Sequence, residues 1–347
     1  MKLYINRHTD PHFNLAAEEY LLTHADDDII MLWRNEAAVI IGKNQNAYAE
    51  INFDFTEKNN VKVVRRLTGG GAVFHDLGNV NFTFISPKGS ALSQGIREGG
   101  LDFAHFTKPI VSALENLGIS AGLSGRNDIV AFTDDGERKI SGNAQCVLNG
   151  VTLHHGTLLF SASIERLQGA LNVDPTKLKT KGIASVRSRV ANIYDLLGDD
   201  AKEKIGDVSG FMDYLSKCLG AEFAVSPQDF DARTERGISE LADAKYRKDE
   251  WNLQKFATFE KNLRRRFPFG SVEISMSVEG GKISALRIFG DFFGVDDCDK
   301  LSEKLIGCTP SHADVVCALD GVDVGEYVFG ASAEDVAALI CDFDTVL

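Results

Sequence analysis

The chain has 347 residues, 44% apolar and 25% charged, with a formal net charge of −13 and a pI near 5.1. That length predicts roughly two domains and a sizeable core. The acidic balance excludes general nucleic-acid and anionic-membrane binding, which need concentrated Lys and Arg, so any anion site must be local. The opening MKLYINRHTDPHFN has no apolar run fit for a signal peptide, and no apolar stretch is long enough to span a bilayer, so a cytoplasmic protein is expected. Six cysteines form no CxxC pair and eight histidines show no zinc spacing, which predicts reduced, mostly buried thiols.

In chain order, Asp10-Pro11 followed by Phe13, Ala16, Ala17, Tyr20 and Leu21 predicts a helix with its cap and first-turn proline. Leu32-Trp33 and Val39 to Ile41 read as strands, the second ending at Gly42. Val61 to Val64 forms a further strand, and Val80, Phe82 and Phe84 alternate with Asn81 and Thr83 in another. Between them lies RRLTGGGAVFHDLGN, Arg65 to Asn79. Its three glycines permit positive φ and let backbone N–H groups close on a phosphate or carboxylate. Arg65 and Arg66 alternate, so only one faces the turn. A plain hairpin turn with a solvated arginine is the competing reading.

A helix over residues 108–117 ends at Gly118. Residues 138–148 and 151–160 read as strands around Asn149-Gly150, a two-residue hairpin turn. Mostly antiparallel pairing gives an α+β fold with a mixed sheet. Residues 199–250 are rich in helix formers, and short strands return at 272–278 and 283–288. The expected division is a large first domain at 1–245, a linker at 246–254 and a small α+β domain at 255–347. Arg264-Arg265-Arg266 reads as a solvated helix end or as a contact for an acidic protein partner.

Four polar segments are hard to explain by packing. In RKISGNAQ, Lys139 opens a strand before a Ser-Gly step that lets a ligand approach the backbone, so it faces a carboxylate or α-phosphate unless it is a surface lysine. In LHHGTLL, His154 and His155 alternate, so only one points to any given site, and a histidine satisfied in the core is the competing reading for either. In SGRND, Asp128 is either a loop cap or the one carboxylate a magnesium ion needs when a nucleotide supplies its other oxygens. KGIASVRSRVAN, residues 181–192, reads as an anion-closing loop or an ordinary basic loop.

Taken together and in this order, these segments resemble lipoate-protein ligases. The similarity runs from FNLAAEEYL through LWRNEAAVIIGKNQNAYAE to about Asn192. The resemblance implies the fold of biotin-protein ligase and class II aminoacyl-tRNA synthetase cores, with a small carboxy-terminal domain. It implies activation of lipoate by MgATP to lipoyl-AMP, then transfer to a lysine of lipoyl-domain acceptors: E2 subunits of 2-oxoacid dehydrogenases and the glycine cleavage H protein. Lys139 matches the lysine that bridges lipoate and the adenylate phosphate. Arg66, Gly71, Ala72, Val73 and Phe74 match ATP-binding positions, and Thr68, Gly69, Gly70, His75 and His155 lie on the lipoate side. Lys181, Gly182, Ser185, Val186 and Arg187 match the adenylate loop, and Asp128 is the metal candidate.

One departure is Asp249-Glu250-Trp251-Asn252-Leu253-Gln254, where many relatives carry Trp-x-Trp-Asn-x-Gly. A rival of the same fold is an ATP-independent lipoyl or octanoyl transferase with Cys146 as nucleophile. Resembling transferases place their cysteine earlier, where this chain has SGRND. The turn TGGGAV differs from the GRGRxG type of biotin ligases. A non-catalytic module that binds lipoate or lipoyl domains is the rival from another class.

Overall fold

The computed structural model describes residues 1–96, 101–172, 190–254 and 259–341. The strands of the first part are β1 (Lys2–Ile5), β2 (Ile29–Trp33), β3 (Ala38–Ile41), β4 (Lys62–Arg65), β5 (Val73–His75), β6 (Asn79–Pro87), β7 (Ala121–Ser124), β8 (Asp128–Thr133), β9 (Gly136–Leu148), β10 (Val151–Leu159) and β11 (Pro227–Gln228). Eight of them form one sheet in the order β11-β1-β2-β6-β10-β9-β8-β7. Among the described strands of this sheet only the β1 pairings are parallel; from β2 to β7 every neighbour is antiparallel. The sheet is the mixed, mostly antiparallel one expected.

The β9–β10 hairpin turns at Asn149 (φ 51°) and Gly150 (φ 79°) with Leu148 opposite Val151, the two left-handed residues a tight hairpin needs. Asp10 caps the helix Pro11–Thr23 by accepting from the His12 N–H. The helix expected to begin at residue 108 starts earlier, as Phe103–Glu115. Asp102 accepts from the His105 N–H and sets the start, which leaves Pro109 inside the helix instead of in its first turn.

The glycine-rich segment is not a hairpin. β4 and β5 both pair with β3, the first parallel and the second antiparallel, in a separate sheet of order β4-β3-β5. The chain from Arg65 to Val73 therefore crosses over the end of β3, and its glycines lie in a crossover loop.

Alternation on β6 decides where the site forms. Val80, Phe82 and Phe84 enter a core with Phe106, Ile110, Phe211 and Leu215 from the helices Phe103–Glu115 and Val208–Glu222. Asn79, Asn81 and Thr83 are buried on the opposite face, toward the first helix and the β3 sheet. A line of buried amides and a hydroxyl beside an apolar core marks a polar interior that must be satisfied or used.

Beyond residue 259, β12 (Lys261–Phe267), β13 (Gly270–Glu279) and β14 (Lys282–Gly290) form an antiparallel meander. It has its own core of Ile274, Met276, Ile288, Leu301, Val315 and Ile340 among others. Arg264, Arg265 and Arg266 lie in the edge strand β12, not at a helix end. Their exposure alternates as strand geometry requires, and Arg266 pairs with Asp291 at 2.9 Å.

Candidate active site

Arg65 and Arg66 leave β4 in opposite directions. Arg65 is fully buried; Nη1 donates to the carbonyls of Gly42, Lys43 and Gln45, and Nε to that of Trp251. The Trp251 indole returns a bond to the Arg65 carbonyl, and the Asn252 side chain accepts from the Arg65 N–H. The segment read as a linker is thus docked on β4 through the very tryptophan and asparagine that the family pattern shares with this chain. Burial pushes the Arg65 guanidinium down to about 9.

Arg66 holds the glycine loop. Nη2 donates to the carbonyls of Gly69 (2.6 Å) and Gly71 (2.9 Å), Nη1 to that of Ile40, and Nε to the Thr68 hydroxyl (2.9 Å). Burial pushes it down to about 10, with Glu18 opposing that shift. Gly70 has φ +87°, and its N–H donates to the Phe292 carbonyl. A Cβ on Gly69 would stand 2.3 Å from that same oxygen, whereas one on Gly71 would meet nothing within 4 Å among the described residues. Two glycines therefore seat the carboxy-terminal part on the loop, and the third faces open space.

That space is a cavity of about 150 Å³. Arg66, Gly70, Gly71, Ala72 and Val73 form one wall; His155, Gly156 and Thr157 of β10 form another. Leu15, Trp33, Ile40, His75 and Asn81 line it as well, along with Asn127, Lys139, Gly142, Asn143 and Ala144. Lys139 Nζ lies 2.7 Å from Asp128 Oδ1, with both side chains about one-third exposed. Arg126 stacks over the Phe293 ring at 4.7 Å and donates to the carbonyls of Phe269 and Asp291.

Polar side chains behind the cavity form a continuous chain. Thr68 Oγ1 lies 2.9 Å from His155 Nε2, and His155 Nδ1 lies 2.8 Å from Glu18. Glu18 accepts from Thr83 (2.6 Å), whose hydroxyl accepts from the Trp33 indole (2.9 Å). His154 points the other way, between Phe82, Phe103 and Phe106, and burial holds it well below the usual imidazole range.

Of the expected residues, the fold gathers Lys139, Arg66, Gly70, Gly71, Ala72, Val73, His75 and His155 at one cavity, with Asp128 beside it through its pair with Lys139. Thr68 and Gly69 stand behind it, bonded to His155 and packed on Phe292. The Phe74 ring turns into a small core with Val39 and Ile41, so only its backbone faces the loop. The expected adenylate loop, Lys181, Gly182, Ser185, Val186 and Arg187, lies outside the described residues. Sequence reading missed Glu18, Trp33, Asn81 and Asn143. Glu18 had a signal: with Leu15 and Leu22 it falls on the buried face of the first helix, where an unpaired carboxylate is costly.

The catalytic-domain model for lipoyl protein ligases A and B matches residues 10–218, and that of the bacterial lipoate protein ligase C-terminus matches residues 257–340. The chain belongs to the lipoate-protein ligase family. Lipoate-protein ligase LplJ of Bacillus subtilis (strain 168) is 38% identical over 341 residues, covering 95% of this chain and 97% of that one. Among solved structures of the family, P. falciparum LipL1 in complex with lipoate is 26% identical, with a TM-score of 0.75 over 93% of this chain and 94% of that one. Lipoate-protein ligase A bound with ATP is also 26% identical, with a TM-score of 0.58 over 73% of this chain and 99% of that one.

The thiol of the transferase rival is poorly placed for nucleophilic work. Burial pushes Cys146 up to about 12, whereas a reactive thiol needs an electropositive, accessible setting. Among the described residues no helix is long and apolar enough to cross a membrane.

Proposed function

We propose that this protein is an ATP-dependent lipoate-protein ligase that forms lipoyl-AMP and passes the lipoyl group to a lysine of lipoyl-domain acceptors, the E2 subunits of 2-oxoacid dehydrogenases and the glycine cleavage H protein. The observation that carries this reading is Lys139 at one cavity that is walled both by the open backbone at Gly71 and by the His75–Trp33 pocket. Within a lipoate-protein ligase family, that cavity offers one lysine to two anions at once.

A carboxylate is a poor acyl donor. Attack of a lipoate oxygen on the α-phosphorus, with release of pyrophosphate, converts it into a mixed anhydride, and such a step is governed by positioning and charge neutralisation. Lys139 would leave Asp128 to sit between the lipoate carboxyl and the α-phosphate. Arg66 shapes the loop by holding the Gly69 and Gly71 carbonyls, so the open side of Gly71 and Ala72 is presented to the nucleotide. Thr68 and His155, braced by Glu18, form the floor beneath the acyl chain.

Asp128 is a single, partly exposed carboxylate, and no cluster of three or more His, Cys, Asp or Glu side chains that could hold a metal occurs among the described residues. That donor set suits Mg2+ bound mainly by nucleotide phosphates and not by a protein cage. Bound there, the ion would neutralise phosphate charge. The acceptor lysine then attacks the anhydride and AMP leaves.

We assign catalysis to residues 1–245, with 246–254 as a connecting segment and 255–347 as an accessory part, and place the protein in the cytoplasm. Purified protein with lipoate, MgATP and an acceptor lipoyl domain should release pyrophosphate and add one lipoyl mass to the acceptor. Modification that proceeds equally well without ATP would replace this reading with the transferase.

A further inference from the structure

The cavity has two ends. Strand register sets out a row across the sheet: Trp33 pairs with Asn81, and Asn81 with Thr157. The Thr157 hydroxyl accepts from the Gly142 N–H at 3.1 Å, and a Cβ on Gly142 would lie 3.2 Å from Lys139 Nζ. Neighbouring strands are about 4.8 Å apart, so Asn81 stands roughly 10 Å from the Lys139 corner. That span suits an extended eight-carbon acid. With its carboxyl at Lys139, the tail of such an acid reaches Trp33, Asn81 and His75.

Two buried donors wait at the tail end. The His8 N–H donates to Asn6 Oδ1, Asn6 Nδ2 to Asn14 Oδ1, Asn14 Nδ2 to Asn35 Oδ1, and Asn35 Nδ2 to His75 Nδ1. Each amide is oriented by the one before it, so His75 accepts at Nδ1 and carries its proton on Nε2. Burial pushes His75 down to about 3, which keeps it neutral. Its Nε2 is buried with no partner among the described residues. Asn79 Nδ2 donates to Asn81 Oδ1 at 2.8 Å, which leaves Asn81 Nδ2 as a second buried donor without a partner among the described residues. Both residues are at least nine-tenths buried and both line the cavity.

A purely hydrocarbon tail would shut these N–H groups away from any acceptor, at a cost for each. A sulfur-bearing tail supplies a weak, polarizable acceptor and a favourable contact with the Trp33 ring. We infer that Asn81 and His75 are specificity-determining residues that select a dithiolane-bearing acid over a plain eight-carbon fatty acid. This rests on the ligase reading above and concerns which acid the same cavity prefers.

The test compares pyrophosphate release by the full-length protein with MgATP and three acids: lipoate, octanoate, and a cyclopentyl-terminated acid with the dithiolane's shape and no sulfur. Wild type should favour lipoate over the cyclopentyl acid by about fivefold in kcat/KM, the worth of roughly one hydrogen bond. Asn81→Leu should erase most of that preference by raising KM for lipoate more than KM for octanoate or the cyclopentyl acid. Asn81→Ala serves if the leucine variant does not fold, because added room affects both ring acids alike. Equal use of lipoate and the cyclopentyl acid by wild type, or a proportional loss with all three acids in the variant, would overturn the inference and leave the ligase reading standing. No pyrophosphate with any acid would sink the ligase reading itself.

Discussion

Lys139 Nζ and Asp128 Oδ1 lie 2.7 Å apart at the rim of the cavity, so the cation assigned to two substrate anions is held by a carboxylate of the neighbouring strand. Gly142, opposite Asp128 on the same ladder, leaves the lysine room to lie across the sheet.

Lys139→Ala is expected to lower adenylate formation by about a hundredfold or more, the usual cost of losing a group aimed at developing charge. The fold should survive, because a pair this exposed contributes at most about 1 kcal/mol. Stopped pyrophosphate assays alongside circular dichroism check both halves; near-normal turnover would remove Lys139 from the mechanism.

Asp128→Asn keeps the shape and removes the charge. If Asp128 joins the nucleotide phosphates in holding Mg2+, the concentration of Mg2+ giving half-maximal rate should rise several-fold. An unchanged Mg2+ titration would limit Asp128 to tethering Lys139.

Cys146→Ser should retain most of the transfer activity, since the thiol is pushed up to about 12 and is almost wholly protonated near neutral pH. Gel-shift or mass measurement of acceptor lipoylation decides it. Complete loss in a folded variant would point back to a thiol intermediate.

The glycine loop offers a matched pair. Gly69→Ala drives a Cβ to 2.3 Å from the Phe292 carbonyl and should destabilise by about 1–3 kcal/mol, seen as a lower Tm. Gly71→Ala meets no atom within 4 Å among the described residues, so Tm should hold while KM for ATP rises. A Tm loss of the same size in both variants would contradict this division of roles.

His154 makes stability fall with acid. Its folded value is depressed by burial, so folded and unfolded states are both neutral above about pH 6.5, and below it only the unfolded state takes up the proton. Stability is present above pH 6.5 and is lost as pH falls. Between about pH 7 and pH 5 the loss attributable to this residue is about 2 kcal/mol. His75, pushed down to about 3, adds to the same slope. Urea unfolding of His154→Leu at both pH values should show a drop smaller by that amount; an equal drop would mean His154 is protonated in the folded protein.

Local chemistry was legible where neighbouring residues along the chain decide the structure. The Asp10-Pro11 start, the Asn149-Gly150 turn and the strand alternation that separates His154 from His155 all depend on backbone preferences within a few residues. The helix at residues 103–115 starts before the expected residue 108 because Asp102, which caps it, lies outside the apolar run that marks the helix in the sequence. The arginine run at 264–266 is not at the helix end that was one of its two readings, because three adjacent cations carry no period of their own and pairing with β13 is what makes them a strand.

The sequence by itself established the α+β class and the family, because the lysine, the glycine triplet and the two histidines occur in a fixed order that chance rarely supplies. It could not show that the glycine segment crosses over β3 instead of closing a hairpin, since both courses use the same residues and differ only in which strands pair. Nor could it show that Phe292 seats itself on Gly69 and Gly70 from more than two hundred positions away. The amide chain from Asn6 to His75 is likewise a product of tertiary packing. Hydrogen-bond direction passes from one buried side chain to the next only when distant segments meet, so the proton on His75 Nε2 was decided by the fold.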